Sequence, residues 1–206
     1  MKILTQDNFI GKGRCRSAYI DPDNEDRCVK IVHYIDRKKC FGESNKENKY
    51  FKHLVKKNID WSMIPKYYGE VNTNKGKGLV FEIVKDYNGE ISKSLEYYFE
   101  TEERMNLIPN PMEKLQNLKN YVIKNKILSR DIRFHNILYK KSSETDGIYV
   151  LIDGVSNSEF IPFSQWFSKL NKAKILRRWT QDEGYYKDNF PDNKLFHTLL
   201  KQYGYK

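Results

Sequence analysis

The sequence LSRDIRFHNILY, at Leu128–Tyr139, is the strongest indication of the fold, and a second apolar run, YVLIDG, follows it at Tyr149–Gly154. Asp131 and Asn136 are separated by four residues, and Asp153 stands at the end of the second run. The spacing predicts that Asp131 and Asn136 occupy the two ends of one loop and that a hairpin returns Asp153 beside them. Oxygen atoms of this kind suit magnesium, a hard cation bound mostly through carboxylates, phosphates and water. On its own, the pattern is also that of an ordinary turn followed by a hairpin.

A glycine-containing turn precedes this stretch near the N-terminus. Phe9–Ile20 reads as strand, turn and strand, with Gly11 and Gly13 in or beside the turn. Glycines let the backbone approach phosphate oxygens closely. The next segment, Asp21–Asp26, reads as a turn between two strands, so a dinucleotide-type strand–turn–helix is excluded here. An ordinary hairpin remains the alternative for these two glycines.

A lysine and a glutamate follow in the next two elements. Arg27–Val32 is an alternating strand with Lys30 between apolar neighbours, and Glu43–Val55 has the apolar spacing of a helix that carries Glu47. In one interpretation Lys30 holds nucleotide phosphates and Glu47 fixes Lys30. In the other, both are surface charges.

The order of these features is more specific than any one of them. A glycine turn, strand lysine, helix glutamate, Asp-x4-Asn loop and strand-end Asp occur in this order in phosphotransferases of the protein kinase fold. We therefore predict an α+β, protein kinase-like fold with two lobes. The N-lobe, residues 1–84, has an antiparallel sheet, and the C-lobe, residues 85–206, is reduced and mainly helical. In the N-lobe, Asn74–Gly78 reads as a turn between the strands Tyr67–Val71 and Gly78–Val84. In the C-lobe, the helices are expected over Ser94–Glu103, Met112–Lys124 and 181–206. Backbone groups of Glu82 and Val84 stand where adenine would bind, with Asp86 or Asn88 as ribose contacts or turn residues.

The chain also resembles the YrbL family of PhoP regulatory network proteins, whose fold is similar to that of protein kinases. The resemblance runs from Ile10 to about Trp179, and its most specific string is DWSMIPKYYG at Asp60–Gly69. Other resembling stretches are Gly11–Arg14, Cys28–Val32, Asn136–Leu138 and Ile161–Trp166. The resemblance implies a fold and nucleotide chemistry, with ATP and Mg2+ as cofactors, but it names no acceptor.

Carried over residue by residue, the resemblance implies a role for each candidate position. Asp131 is the catalytic base, Asn136 and Asp153 bind metal, Gly11 and Gly13 cover the phosphates, Lys30 binds them, and Glu47 holds Lys30.

Three positions depart from the protein kinase pattern. Arg16 stands at a third glycine, Ser129 at a histidine, and Gly154-Val155 at Phe-Gly. Three functions stay open. The first is an active phosphotransferase acting on a hydroxyl, such as that of a sugar or cell-envelope saccharide rather than a protein. The second is a nucleotide-binding pseudokinase that serves as a regulatory module, and the third, less favoured, is a membrane-surface adaptor that uses residues 162–179. The presence of Asp131 favours the first.

Charge and composition restrict the partners. The 206 residues carry a formal net charge of +10, which attracts anionic partners. Lys and Arg are interspersed with Asp and Glu, and no nucleic-acid module is recognisable, so we do not expect the protein to bind nucleic acid. Pro162–Trp179 is a basic amphipathic helix candidate, either for contact with an anionic membrane or a phosphorylated substrate, or as a lobe helix with a solvated face.

The cysteines and the N-terminus indicate a compartment. Cys15, Cys28 and Cys40 are odd in number and lack metal-ligand spacing, so we expect reduced thiols in a cytoplasmic protein. No signal peptide and no apolar run of membrane-spanning length are recognisable.

Overall fold

The computed structural model describes residues 1–32 and 37–156, and within them the chain forms two compact units. The first unit comprises Met1–Trp61 and Pro65–Val84. The second begins at Lys85 and also includes Ser62–Ile64, which the sequence analysis places in the N-lobe. The backbone explains this assignment, because the N–H of Leu151 donates to the carbonyl of Met63 at 3.0 Å.

The first unit is a five-stranded antiparallel sheet with one long helix. Its strands, in the spatial order β1-β2-β3-β5-β4, are β1 Phe9–Lys12, β2 Arg16–Asp21, β3 Asn24–Val32, β4 Tyr67–Thr73 and β5 Gly76–Glu82. The helix, α1 at Arg37–Lys56, lies between β3 and β4 in the chain. The sequence predicted the turn after β4 to extend to Gly78. It is shorter, because the Thr73 hydroxyl donates to the carbonyl of Gly76 at 2.6 Å and accepts from Lys75 N.

Alternation along β3 gives the sheet two different faces. Val29 and Ile31 are buried in a cluster with Leu4 and Val80. Cys28 lies opposite Phe81, whose ring packs edge-on against Phe51 of α1 at 4.9 Å between centroids. Because side chains two residues apart share a face, Lys30 lies on the α1 side of the sheet, as Cys28 does.

The second unit combines short helices with a three-stranded antiparallel sheet. In chain order the elements are β6 Lys93–Ser94, α2 Leu95–Phe99, α3 Glu102–Met105, α4 Pro111–Lys124, a 3-10 turn at Phe134–Asn136, β7 Ile137–Lys141 and β8 Gly147–Leu151. The sheet order is β6-β7-β8. The β7–β8 hairpin is the one that the sequence predicted before Asp153.

One predicted helix of the second unit is wrong. The sequence indicated a continuous helix over Ser94–Glu103, but Thr101 is extended, with φ −136° and ψ 147°, and separates α2 from α3. The Thr101 side chain accepts a hydrogen bond from Arg104 N, so it caps a new helix instead of continuing the old one. The predicted helices over 162–179 and 181–206 lie outside the described residues.

The expectation of three reduced thiols is wrong for two of them. Cys15 and Cys40 form a disulfide with a Cα–Cα distance of 5.3 Å, whereas Cys28 is free and buried. The two residues are 25 positions apart in the chain, and only the packing of the β1–β2 turn against the start of α1 brings them together. In the described part of the chain, no helix combines the length and apolar character needed to cross a membrane.

Candidate active site

Buried neighbours orient the loop that carries Asp131. Ile132 and Phe134 are 6% and 4% exposed, and the Phe134 ring packs edge-on against Phe99 at 4.8 Å between centroids. Because these alternate residues point into the core, Asp131 and Arg133 take the intervening positions and remain partly accessible, with side-chain exposures of 25% and 35%. The apolar residues of the motif therefore determine the direction of the polar ones.

Backbone hydrogen bonds join this loop to the segment that follows β8. Arg130 N donates to the carbonyl of Gly154, and Ile152 N donates to the carbonyl of Asn136, each at 2.8 Å. Asp153 lies between the two points of attachment. The structure therefore brings Asp131, Asn136 and Asp153 to one place in the second unit.

Gly154 is required at this contact for two reasons. Its φ is +73°, a conformation that L side chains rarely adopt, and a Cβ there would lie 2.7 Å from the carbonyl oxygen of Asp131 and 2.9 Å from its Cβ. The departure from Phe-Gly that the sequence analysis noted thus has a local explanation. Glycine lets the backbone after Asp153 lie directly against the backbone of Asp131.

Asp131 is bound by an arginine two residues further along. Arg133 Nε donates to Asp131 Oδ1 at 2.6 Å, and Arg133 Nη2 donates to Asp131 Oδ2. Burial raises the pKa of Asp131, but the hydrogen bonds and charge of Arg133 outweigh it, with a smaller contribution from His135, so the net pKa is lowered. Asp131 is therefore a stable carboxylate at neutral pH. This partner was not among the residues predicted from the sequence, although the Asp-x-Arg spacing is a signal for it.

Asn136 and Asp153 offer oxygen atoms suited to magnesium. Asn136 is 8% exposed, and its amide Nδ2 lies 3.5 Å from the carbonyl oxygen of Asp131. Asp153 Oδ1 accepts the N–H of Gly154 at 2.7 Å. Within the described residues there is no group of three or more His, Cys, Asp and Glu side chains arranged for a metal. A pair of oxygen donors nevertheless fits magnesium, which usually keeps several waters and takes further ligands from phosphates.

In the first unit, Lys30 and Glu47 occupy the elements that the sequence predicted. Lys30 lies on β3 opposite Ala18 and Leu79, with its ammonium 4.8 Å from the centroid of the Phe81 ring. Glu47 lies on α1, is 4% exposed, and its carboxylate accepts a hydrogen bond from Arg16 Nη1. That Glu47 holds Lys30 stays a prediction.

Arg16 is a second residue that the sequence analysis missed in this role. It pairs with Val32 across β2 and β3, two positions along from the Ala18–Lys30 pair, so Arg16 and Lys30 lie on the same face of the sheet. The side chains of Arg16 and Glu47 are 15% and 6% exposed, which makes this a largely buried ion pair. Arg16, which stands where protein kinases have a third glycine, thus places a positive charge on β2, the strand next to that of Lys30.

Neither glycine of the β1–β2 turn is required by the surrounding structure. A Cβ at Gly11 would meet nothing within 4 Å, and one at Gly13 would meet only the Arg16 carbonyl at an ordinary 3.6 Å. Neither residue has a positive φ. The packing around this turn therefore does not explain why glycine stands at these two positions.

Backbone groups near the end of the first unit are partly engaged. Glu82 N donates to the carbonyl of Lys66 at 2.9 Å, so the N–H of Glu82 already has a partner. Val84 is buried. Of the two roles predicted for Asp86, ribose contact and turn residue, the structure shows the second. Its Oδ1 accepts hydrogen bonds from the Ser92 hydroxyl and the N–H of Lys141.

The topology and the ordered set of polar residues define the class of this protein. The chain has an α+β, protein kinase-like fold. Its features are a five-stranded antiparallel sheet with a lysine on β3, a glutamate on the next helix, and an Asp-x4-Asn loop followed by a strand-end Asp. The chain belongs to the family of PhoP regulatory network protein YrbL, whose sequence model matches residues 3–182.

Individual relatives are consistent with this family. The chain is 32% identical over 180 residues to the uncharacterized protein YrbL of Escherichia coli (strain K12), covering 85% of this chain and 83% of the relative. The same values hold for the uncharacterized protein YrbL of Shigella flexneri. A crystal structure of a kinase domain is similar over 77% of this chain, with 21% identity and a TM-score of 0.49. The match spans 54% of that kinase domain, about half its length.

Proposed function

We propose that this protein is an ATP- and Mg2+-dependent phosphotransferase that transfers the γ-phosphate to a hydroxyl group. The observation that carries the proposal is the double backbone attachment of the segment around Asp153 to the Asp131–Asn136 loop, at Arg130 and at Ile152. A rigid arrangement of this kind matters because phosphoryl transfer depends on positioning and charge stabilisation more than on covalent chemistry by the protein.

Asp131 orients the acceptor hydroxyl. The acceptor oxygen forms a bond to the γ-phosphorus while the bond from that phosphorus to the β-phosphate oxygen breaks, and ADP leaves. The hydroxyl proton passes to Asp131. Because Arg133 lowers the pKa of this carboxylate, Asp131 is a weak base and acts mainly by alignment. Arg133 fixes the carboxylate through two hydrogen bonds.

The remaining residues bind the nucleotide and its metal. Asn136 and Asp153 hold magnesium, which neutralises charge on phosphate oxygens when bound. The glycine turn covers the phosphates, Lys30 contacts them, and Glu47 supports the lysine. Backbone groups of Glu82 and Val84 receive adenine.

The acceptor that we favour is a sugar or cell-envelope saccharide, with a protein hydroxyl as the less favoured choice. The positively charged chain suits a phosphorylated substrate or peripheral contact with an anionic membrane, and nucleic acid is not among the proposed partners. We place the protein in the cytoplasm, where ATP is available.

A nucleotide-binding pseudokinase is the second candidate, and one observation favours it. The Arg133 guanidinium engages both oxygens of Asp131, so an acceptor hydroxyl must share the carboxylate with this arginine. If the pair never admits a hydroxyl, the protein binds ATP and acts as a regulatory module without turnover.

Two Asp→Asn variants separate these functions. Asp131→Asn retains ATP and magnesium binding but loses turnover by on the order of a hundredfold to ten-thousandfold, because binding needs no base. Asp153→Asn also loses the magnesium-dependent part of ATP affinity. Asp7→Asn, a matched change at an exposed position, alters neither property.

The measurements are ATP affinity by calorimetry with and without magnesium, and phosphate transfer to panels of saccharides and proteins. ATP binding without transfer to any acceptor, together with equal basal hydrolysis in wild type and Asp131→Asn, would establish the pseudokinase. Absence of ATP binding at millimolar concentration would reject both candidates.

A further inference from the structure

Three consecutive residues, the last two of the β1–β2 turn and the first of β2, contact one face of α1. The contacts are the ion pair Arg14–Glu43, with 3.7 Å between Nη2 and Oε1, the disulfide Cys15–Cys40, and the ion pair Arg16–Glu47. The helix residues are spaced i, i+3 and i+7, which places them in one row along the helix. We call this row of contacts the turn–helix seam.

The members of the seam differ in how strongly they bind. Arg14 is 76% exposed, so its ion pair is screened by solvent and contributes little. The ion pair between Arg16 and Glu47 is largely buried. The third contact, the Cys15–Cys40 disulfide, is covalent. The covalent bond therefore determines whether the tip of the turn can leave α1.

We propose that Cys15 and Cys40 form a thiol–disulfide exchange site for a dithiol reductant, and that reduction releases the β1–β2 turn from α1. A thiolate of the reductant attacks one sulfur, and the other sulfur leaves as a thiolate. The second thiol of the reductant then resolves the mixed disulfide. Two electrons and two protons pass to the protein, which ends with two thiols, while the reductant ends as a disulfide.

The surroundings indicate which sulfur is attacked. Cys15 is partly accessible, whereas Cys40 is 3% exposed, so the reductant reaches Cys15 first. Cys40 is the fourth residue of α1, close to the N-terminus of the helix, where the helix dipole favours negative charge on a departing sulfur. In contrast, the carboxylate of Glu43, whose Oε2 lies 3.7 Å from Cys15 Sγ, disfavours negative charge on the Cys15 sulfur. Both features direct the attack to Cys15 and the departing charge to Cys40.

Release of the turn would act on the phosphate-binding residues, an effect that rests on the proposed function. In the disulfide form Gly13 N donates to the Arg16 carbonyl at 2.8 Å, and the Arg16 guanidinium is committed to Glu47. In the released turn, the N–H of Gly13 can turn to an anion, while Arg16 stays on β2 in its ion pair with Glu47. One hydrogen bond with a charged partner corresponds to roughly tenfold in affinity or more, so we expect the reduced protein to bind ATP about tenfold more tightly.

The first experiment tests the exchange site without nucleotide. Alkylation and mass spectrometry of the full chain should count one thiol after mild oxidation and three after dithiothreitol, since the chain has three cysteines and Cys28 is free. Amide exchange at residues 13–16 should accelerate by about tenfold or more on reduction, because the tether that suppresses local opening is lost.

Matched variants complete this test. Cys15→Ala and Cys40→Ala should exchange like the reduced wild type in either condition, and Cys28→Ala should still respond to dithiothreitol. Three thiols after oxidation, or equal amide exchange in both states, would overturn the proposal.

The second experiment measures the dissociation constant of ATP with magnesium in both redox states. Tighter binding after reduction, with Cys15→Ala insensitive to dithiothreitol, supports coupling of the seam to the nucleotide. Equal affinity in both states refutes that coupling. If neither state binds ATP, the proposed function fails, while the thiol count and amide exchange still decide the exchange site.

Discussion

Replacing Gly154 by alanine should damage both the stability of the second unit and the position of Asp131. The new Cβ would lie 2.7 Å from the Asp131 carbonyl oxygen, whereas real contacts essentially never fall below 3.0 Å. The two backbones must therefore separate by at least 0.3 Å, the difference between these values, and by about 0.8 Å to reach ordinary contact. No side-chain rotation relieves the clash, because the neighbour is backbone.

The expected loss has two parts. The left-handed conformation at φ +73° costs an alanine about 1–2 kcal/mol. Displacement of packed backbone adds about 1–3 kcal/mol, as in overpacked cores. The sum is about 2–5 kcal/mol. In the proposed reaction, a displacement of about 0.3–0.8 Å at Asp131 should also lower phosphate transfer by roughly tenfold to a hundredfold.

Gly89→Ala is the matched control. Gly89 also has a positive φ, +86°, but a Cβ there would meet nothing within 4 Å. This variant should lose only the conformational part, about 1–2 kcal/mol. The assay is urea unfolding followed by circular dichroism, with midpoints and slopes compared among the wild type and both variants. Equal destabilisation by the two substitutions would refute the inference that Gly154 is required by its contact with Asp131.

Other substitutions test separate parts of the structure. Gly11→Ala and Gly13→Ala should leave thermal stability nearly unchanged, because a Cβ fits at both positions, yet weaken ATP binding; unchanged affinity in both would remove these glycines from the proposed site. Arg133→Gln should lower the free energy of unfolding at neutral pH. Since Arg133 depresses the pKa of Asp131, its contribution is present above the unfolded pKa of about 3.9 and is lost as the pH falls through the folded value. Urea titrations between neutral pH and pH 3 should therefore show the gap between wild type and variant closing, and a constant gap would contradict this linkage. Gly42→Ala, within α1 and with open space for a Cβ, should raise stability by about 0.5–1 kcal/mol in thermal unfolding, and a loss would show that this glycine has another role.

Local patterns determined much of the fold in advance. Alternation along β3 and the apolar spacing of α1 placed Lys30 and Glu47 on a strand and a helix. The Asp131–Asp153 stretch was accessible to the same reasoning, because a short loop and one hairpin connect its residues. Sequence-local features of this kind constrain geometry without knowledge of how distant elements pack.

Competition between local signals explains the misassigned helix. The Ser94–Glu103 segment has helical periodicity, but Thr101 can cap a helix as readily as it can continue one. Periodicity alone does not reveal which choice the backbone makes. The extended conformation of Thr101 satisfies the N–H of Arg104, and that hydrogen bond ends one helix and starts another.

The partners of the polar side chains depend on how distant segments of the chain pack. Cys15–Cys40 and Arg16–Glu47 join residues 25 and 31 positions apart, and both exist because α1 packs along the β1–β2 turn. The contact of Gly154 with Asp131 likewise depends on sub-ångström packing between two segments. Local sequence patterns predicted which chemical groups lie on which strands and helices. The pairing of cations with carboxylates, and of one thiol with another, depended on how those elements pack. An ion pair or a disulfide forms only when its atoms lie within a few ångströms of each other.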